Sequence, residues 1–191
     1  MPTVNLQIAN GNDDVFEGAT GTMNLTGSSI GLSSANQWAG LRFPGVAIPQ
    51  GVVSVPTAPL QMYLPGPSAG LTLVADVYGE AADNAAAFAA GANNVSARAR
   101  TAAKASVNAT AAGVATWYSV EMAAAALEIL IRPGWASGNA MAVVIDALTG
   151  IDWTFRAYEG NAAQAAKWDI TYVIGGGLPV KVTYYAQMRG A

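Results

Sequence analysis

The sequence predicts an all-β fold, a jelly-roll β-sandwich with one short α-helix at about 119–131 and an extra C-terminal strand. Three observations predict it. Many short runs alternate apolar and polar residues, the mark of strands with one buried face. Turns rich in Gly and Pro separate these runs. Only one stretch, 119–131, reads as a full helix, and no strand–helix–strand rhythm is present, which disfavours a parallel doubly wound sheet. The 191 residues suit one domain with an appendage: residues 1–174 as the sandwich, and 175–191 as a glycine hinge plus a terminal strand or arm.

Residues 4–8 alternate and form the first strand, followed by a turn at Gly11-Asn12-Asp13-Asp14. Residues 15–36 hold one or two short strands among loops. Residues 38–43 form a strand ending at Pro44, and Val46-Ala47-Ile48 is a strand end leading to a turn. Residues 52–55 and 60–64 are short strands broken by prolines, which fit edges and first positions. Residues 71–78 form a central strand. Asp83 caps a short helical turn reaching Phe88. Residues 95–105 carry both helix-forming Ala and Arg and a strand-like alternation, and both readings stay open. Residues 114–118 are extended. Residues 119–131 form the helix, with Ser119 as its cap, Glu121 in its first turn and Pro133-Gly134 behind it. Strands follow at 140–145, 153–158 and 167–173. A glycine hinge at Gly175-Gly176-Gly177 leads to a last strand at 179–188.

Only 11% of residues are charged, against roughly a quarter in an ordinary domain. Two readings stay open: a compositional drift toward Ala and Gly, or a surface that is covered by neighbours in an assembly. Net charge is −3, and the densest basic group is Arg98, Arg100 and Lys104, so binding through phosphate neutralisation is not expected. The chain has no cysteine and no histidine. That excludes disulfides, thiolate metal sites, Ser-His-Asp and Cys-His machinery and the commonest general base. No basic-then-apolar leader opens the chain, and no apolar run has the length to span a bilayer. Synthesis in a cytoplasm and no membrane partner are the expectations.

Three segments carry a family resemblance. The first is Trp38-Ala39-Gly40-Leu41-Arg42-Phe43 with Val46-Ala47-Ile48-Pro49-Gln50-Gly51. The second is Ile131-Arg132-Pro133-Gly134-Trp135-Ala136-Ser137-Gly138-Asn139-Ala140. The third is Phe155-Arg156-Ala157-Tyr158-Glu159-Gly160 through Ala165-Ala166-Lys167-Trp168-Asp169-Ile170-Thr171-Tyr172. Together they resemble a jelly-roll module of bacteriophage structural and bacterial surface proteins, the DNRLRE-like, carbohydrate-binding-module-like group. The likeness runs over roughly residues 5–173. It implies a non-enzymatic virion structural protein made in the host cytoplasm, a capsid decoration (cement) or minor capsid protein. The expected partners are further copies of itself and a major capsid protein. The alternative it implies is a carbohydrate-binding module on a tail or fibre that binds a host glycan. A fold likeness carries little about activity, because sites are grafted differently onto one scaffold.

The candidate sites follow from residue chemistry. Trp38, Arg42, Trp135, Arg156 and Tyr158 are aromatic and guanidinium groups suited to a ligand or interface platform, or to covering a sheet face. Asp13, Asp14, Glu80 and Asp83 are oxygen donors for a structural Ca²⁺, the one candidate cofactor; ordinary turn chemistry is the plainer reading. Trp117, Trp135 and Trp168 suit a core short of large residues, with sugar stacking as the alternative. Glu121 and Glu128 read as the wet face of the helix rather than a hydrolytic pair. Val180, Val182, Tyr184 and Tyr185 form the candidate assembly arm.

Overall fold

The computed structural model describes residues 1–66, 72–110, 115–150 and 153–175. In chain order its strands are β1 (Thr3–Gln7), β2 (Asp14–Glu17), β3 (Met23–Asn24), β4 (Ser29–Leu32), β5 (Gln37–Phe43), β6 (Val52–Thr57) and β7 (Pro59–Leu64). After these come β8 (Thr72–Glu80), β9 (Arg100–Thr110), β10 (Thr116–Glu121), β11 (Met141–Gly150), β12 (Trp153–Arg156) and β13 (Lys167–Ile174), with helix α1 (Ala123–Leu130) between β10 and β11. The fold is an all-β sandwich in which these strands pair antiparallel. A five-stranded sheet runs β1-β13-β7-β10 with β6 also on β13. A six-stranded sheet runs β3-β2-β5-β11-β8-β9, and β4 pairs β12 in a two-stranded ribbon. The chain changes sheet at most connections, as jelly rolls do.

Alternation in the five-stranded sheet explains how the two large sheets pack. In β7, Leu60, Met62 and Leu64 are buried while Pro59, Gln61 and Tyr63 face outward, partly exposed. In β13, Trp168, Ile170 and Tyr172 point in and Lys167, Asp169 and Thr171 point out. The inner faces of the two sheets meet in one core that includes Leu41, Phe43, Leu60, Met62, Leu73, Val77, Val143, Ile145, Trp168 and Ile170. The Phe43 and Trp168 rings touch across it at 5.6 Å between centroids. Each fully buried large side chain stabilises the fold by about 1.5–3 kcal/mol.

The six-stranded sheet is buried on its other face too. Val15, Ala142 and Val144 pack there against Ala85, Phe88 and Val95 from residues 81–99. This irregular segment stands where the sequence predicts a short helical turn at Asp83 and an ambiguous element at 95–105. The turn is absent: Asp83 is taken up by Arg132, and the backbone stays extended or turning so that Phe88 and Val95 can bury. Only from Arg100 does strand geometry begin. Glu17 and Gly40 help to hold the segment. Glu17, fully buried, accepts from the amides of Val95 (2.7 Å) and Ser96 (3.0 Å) through Oε2. Gly40 leaves room for Phe88: a Cβ there would lie 2.4 Å from the ring.

The helix is shorter than predicted. Ser119 lies in β10 and caps nothing; the N-cap is Met122, and the helix ends at Leu130, before Pro133. Residues 116–121 prefer strand because they pair with β7 from Leu64 to Pro59. Glu121 still serves the helix from outside, its Oε1 accepting from the Ala123 amide. Glu128 is not simply wetted either: its two oxygens accept from the amides of Ala102 and Ala103 on β9, both at 2.9 Å.

The proline-broken strands prove central in part. Thr57 faces Thr171 and Leu60 faces Trp168 in one continuous register, so β6 and β7 lie end to end along β13. The break falls at Ala58, where Pro59 has no amide to offer. Ala58 donates to Glu121 Oε1 (2.6 Å), and its carbonyl accepts from the Met122 amide (3.1 Å) and Trp168 Nε1 (3.0 Å). Residues 14–32 hold three short strands rather than one or two, and Val46 and Ile48 are buried in irregular backbone rather than a strand. The predicted strand start at Leu71, the hinge beyond Gly175 and the arm residues Val180, Val182, Tyr184 and Tyr185 lie outside the described residues. Gly175 itself donates to the Gly51 carbonyl at 2.9 Å.

Candidate functional site

The outer face of the five-stranded sheet is open among the described residues and is built by register. Gln7 stands opposite Lys167, Lys167 opposite Gln61, and Gln61 opposite Ser119. Asn5 stands opposite Asp169, and Tyr63 opposite Trp117. The Tyr63 and Trp117 rings meet edge to face, 5.3 Å between centroids and 71° apart. Lys167 Nζ sits 4.4 Å above the Trp117 ring, a cation–π contact. The Asp169 carboxylate accepts from Asn5 Nδ2 (2.7 Å) and Gln61 Nε2 (3.0 Å). Between these groups lies a shallow depression of about 420 Å³, lined by Asn5, Leu6, Gln7, Gln61, Lys167 and Asp169. One positive and one negative side chain, two residues apart on β13, line it. The arrangement offers amide and carboxylate hydrogen bonds beside a partly exposed aromatic pair. It does not present a nucleophile held by a base.

The predicted platform residues do not gather there. Trp38 and Arg42 sit on the outer face of the six-stranded sheet, where Trp38 packs against the second core. Arg42 donates to the Ala85 carbonyl (2.9 Å) and to Asp13 Oδ1 (2.7 Å), which clamps residues 81–99 and the 3-10 turn at Gly11–Asp13 to β5. Trp135 is fully buried, its Nε1 bonded to the Ile48 carbonyl at 2.9 Å. Arg156 lies in the two-stranded ribbon with its Nε buried and without an acceptor. Tyr158 packs against the main core. Trp135 and Trp168 are therefore core residues, as composition suggests, whereas Trp117 is not. Residues 59–64 and 116–121 both alternate, and that was the available signal for a shared outer face. The pairing of Tyr63 with Trp117 is a long-range register that no local pattern supplies.

The four candidate calcium ligands are also apart. Asp14 is on β2 and Glu80 on β8, with β5 and β11 between them, about 14 Å at ordinary strand spacing. Glu80 is held by Arg98 at 2.6 Å, Asp83 by Arg132 at 2.7 Å and Asp13 by Arg42 at 2.7 Å. Among the described residues no group of three or more acidic, His or Cys side chains is placed to hold a metal ion. Asp14 is the unusual member. It is 2% exposed; Oδ2 accepts from the Tyr158 amide at 2.7 Å and Oδ1 has no partner. Burial, with the carboxylates of Glu159 and Asp13 nearby, raises its pKa to about 7 against the opposing pull of the Tyr158 amide.

No protein-family model matches the chain, and no curated protein matches it.

Proposed function

We propose that this chain is a non-enzymatic structural protein of a bacteriophage virion, a capsid decoration (cement) or minor capsid protein that stabilises the shell by bridging subunits. The observation that carries the reading is the disposal of charge. Arg42, Arg98, Arg100, Lys104 and Arg132 each end on a carboxylate of the same chain. Among the described residues these five cations are neutralised within the chain, while Val53, Ile131, Leu148 and Ile174 stand exposed. A surface of this kind suits cover by further copies of the chain and by a major capsid protein. Each contact is modest, and symmetry multiplies them. Among the described residues the same pairing leaves no basic stripe for nucleic acid. Placement in a phage particle, with synthesis in the host cytoplasm, rests on the resemblance of the three segments named above. Particles assembled without the chain are expected to lose heat and salt resistance and to regain it when the purified chain is added back. Unchanged resistance, or no binding to particles, overturns the proposal.

A second reading is favoured by one observation, the partly exposed Tyr63–Trp117 pair beside Asn5, Gln61, Lys167 and Asp169. Sugars stack an apolar ring face on aromatics and bond hydroxyls to such amide and carboxylate groups. In this reading the chain is a carbohydrate-binding module for host attachment. Saturable glycan-array binding that Trp117→Ala abolishes supports it; binding that survives Trp117→Ala, or none at all, removes it.

A further inference from the structure

Edge strands are a liability that proteins blunt with short length, proline, bulges or outward charge. The strand β9 closes one side of the six-stranded sheet and has 11 residues, and among the described residues nothing pairs with its outer side. Its protection is confined to one end. Glu128 occupies the amides of Ala102 and Ala103, next to the register shift between Tyr78 and Glu80. From Lys104 to Thr110 the register with β8 is regular and there is no proline. The one charge in that stretch is drawn back over its own sheet: Lys104 Nζ lies 2.6 Å from Asp76 Oδ2 and 5.7 Å from the Tyr78 ring. The remaining side chains are small. Ala105, Val107 and Ala109 belong to the core side, and Ser106, Asn108 and Thr110 to the wet side.

We propose that this free edge pairs antiparallel with the same edge of a second copy, making one continuous sheet through two sandwiches. The proposal rests on the reading that the chain assembles with itself, and it names the surface. Glu128 marks where the free stretch begins, and within Lys104–Thr110 a two-fold axis at Val107 gives the register in which like side chains meet. That register sets Ala105 against the second copy's Ala109, Ser106 against its Asn108, and Lys104 against its Thr110. Apolar residues meet apolar ones on the core side, polar meet polar on the wet side, and no two charges face each other. The contact is isologous, as a closed dimer requires. An edge alone buries less than a standard interface, so the dimer is concentration-dependent.

Sedimentation of the full chain over a wide concentration range is expected to show a monomer–dimer equilibrium. Asn108→Lys sets an ammonium diagonal to the second copy's Lys104 and to its own counterpart, and is expected to weaken the dimer about tenfold while leaving the monomer's melting unchanged. The chain has no cysteine, so single thiols report the register directly. A mixture of Ser106→Cys and Asn108→Cys chains is expected to form the mixed disulfide in preference to the 108–108 one. Amide exchange at 104–110 is expected to slow as concentration rises. The proposal is overturned by a chain monomeric at every concentration, or by a dimer indifferent to Asn108→Lys. Exchange protection equal at all dilutions also overturns it, because a segment of the same chain would then cover the edge. A β9 dimer that leaves particles unaffected counts against the capsid reading alone; a monomer that still stabilises particles counts against this one alone.

Discussion

Replacing Glu17 tests whether residues 81–99 are held by a buried carboxylate. Its Oε2 accepts two amide bonds, at 2.7 Å from Val95 and 3.0 Å from Ser96, and the side chain is fully buried. A hydrogen bond to a charged group contributes about 1.5–3 kcal/mol, so removing two costs about 3–6 kcal/mol. Relief of the desolvated charge returns part of that. The expected net loss for Glu17→Ala is about 3 kcal/mol, and the melting temperature should fall by roughly 6–12 °C for a chain of this size. Glu17→Gln keeps an acceptor oxygen without the charge and should cost about 1–2 kcal/mol. Thermal unfolding measures both variants, and amide exchange at Val95 and Ser96 shows whether the loss is local. An alanine variant within about 1 kcal/mol of the parent refutes the reasoning. So does a glutamine variant as damaged as the alanine one, because acceptance of the two amide bonds would then not be the source.

Asp14 links stability to pH. Its folded pKa, about 7, lies above the unfolded value near 3.8, so the folded state holds the proton more tightly. Its contribution is therefore full below about pH 4 and is lost as pH rises toward 7; Asp14→Asn should flatten that fall and stabilise the chain at pH 8, as read by melting temperature against pH. Gly40→Ala drives a methyl into the Phe88 ring, which Arg98 already covers at 4.0 Å, and should cost about 1–3 kcal/mol in chemical denaturation. Trp168→Phe removes the Nε1 bond to the Ala58 carbonyl and part of the packing on Phe43, and should cost about 2–4 kcal/mol in the same assay.

Some of the strands with one wet face were legible. The runs that became β7 and β13 show their inside–outside alternation in the residues themselves. The start of the helix was not legible, because Ser119 and Glu121 look like a cap and a first turn while cross-strand pairing with β7 claims them as strand. Residues 81–99 misled for a related reason. Ala-rich sequence favours helix locally, but burying Phe88 and Val95 on the far side of the six-stranded sheet overrides it. The candidate site was only half visible. Arg42 and Trp38 stand out in the sequence as large groups four residues apart, and in the fold they fasten a covering segment. Tyr63 and Lys167 gained their neighbour Trp117 only through the register of separate strands.

Ala58 has consequences for how the sandwich comes together. One peptide group there is shared by three stretches of chain: its own, the end of β10, and β13, which arrives 110 residues later. Until the last of these is synthesised, a carbonyl meant for two donors lacks its indole partner, and the five-stranded sheet lacks its middle. Contacts of such long sequence separation make folding slow and closely concerted. A nascent chain still lacking β13 would display the hydrophobic side of β6 and β7 to the cell, so the emergence of β13, rather than growth of the first strands, sets the moment at which these strands become safe from aggregation.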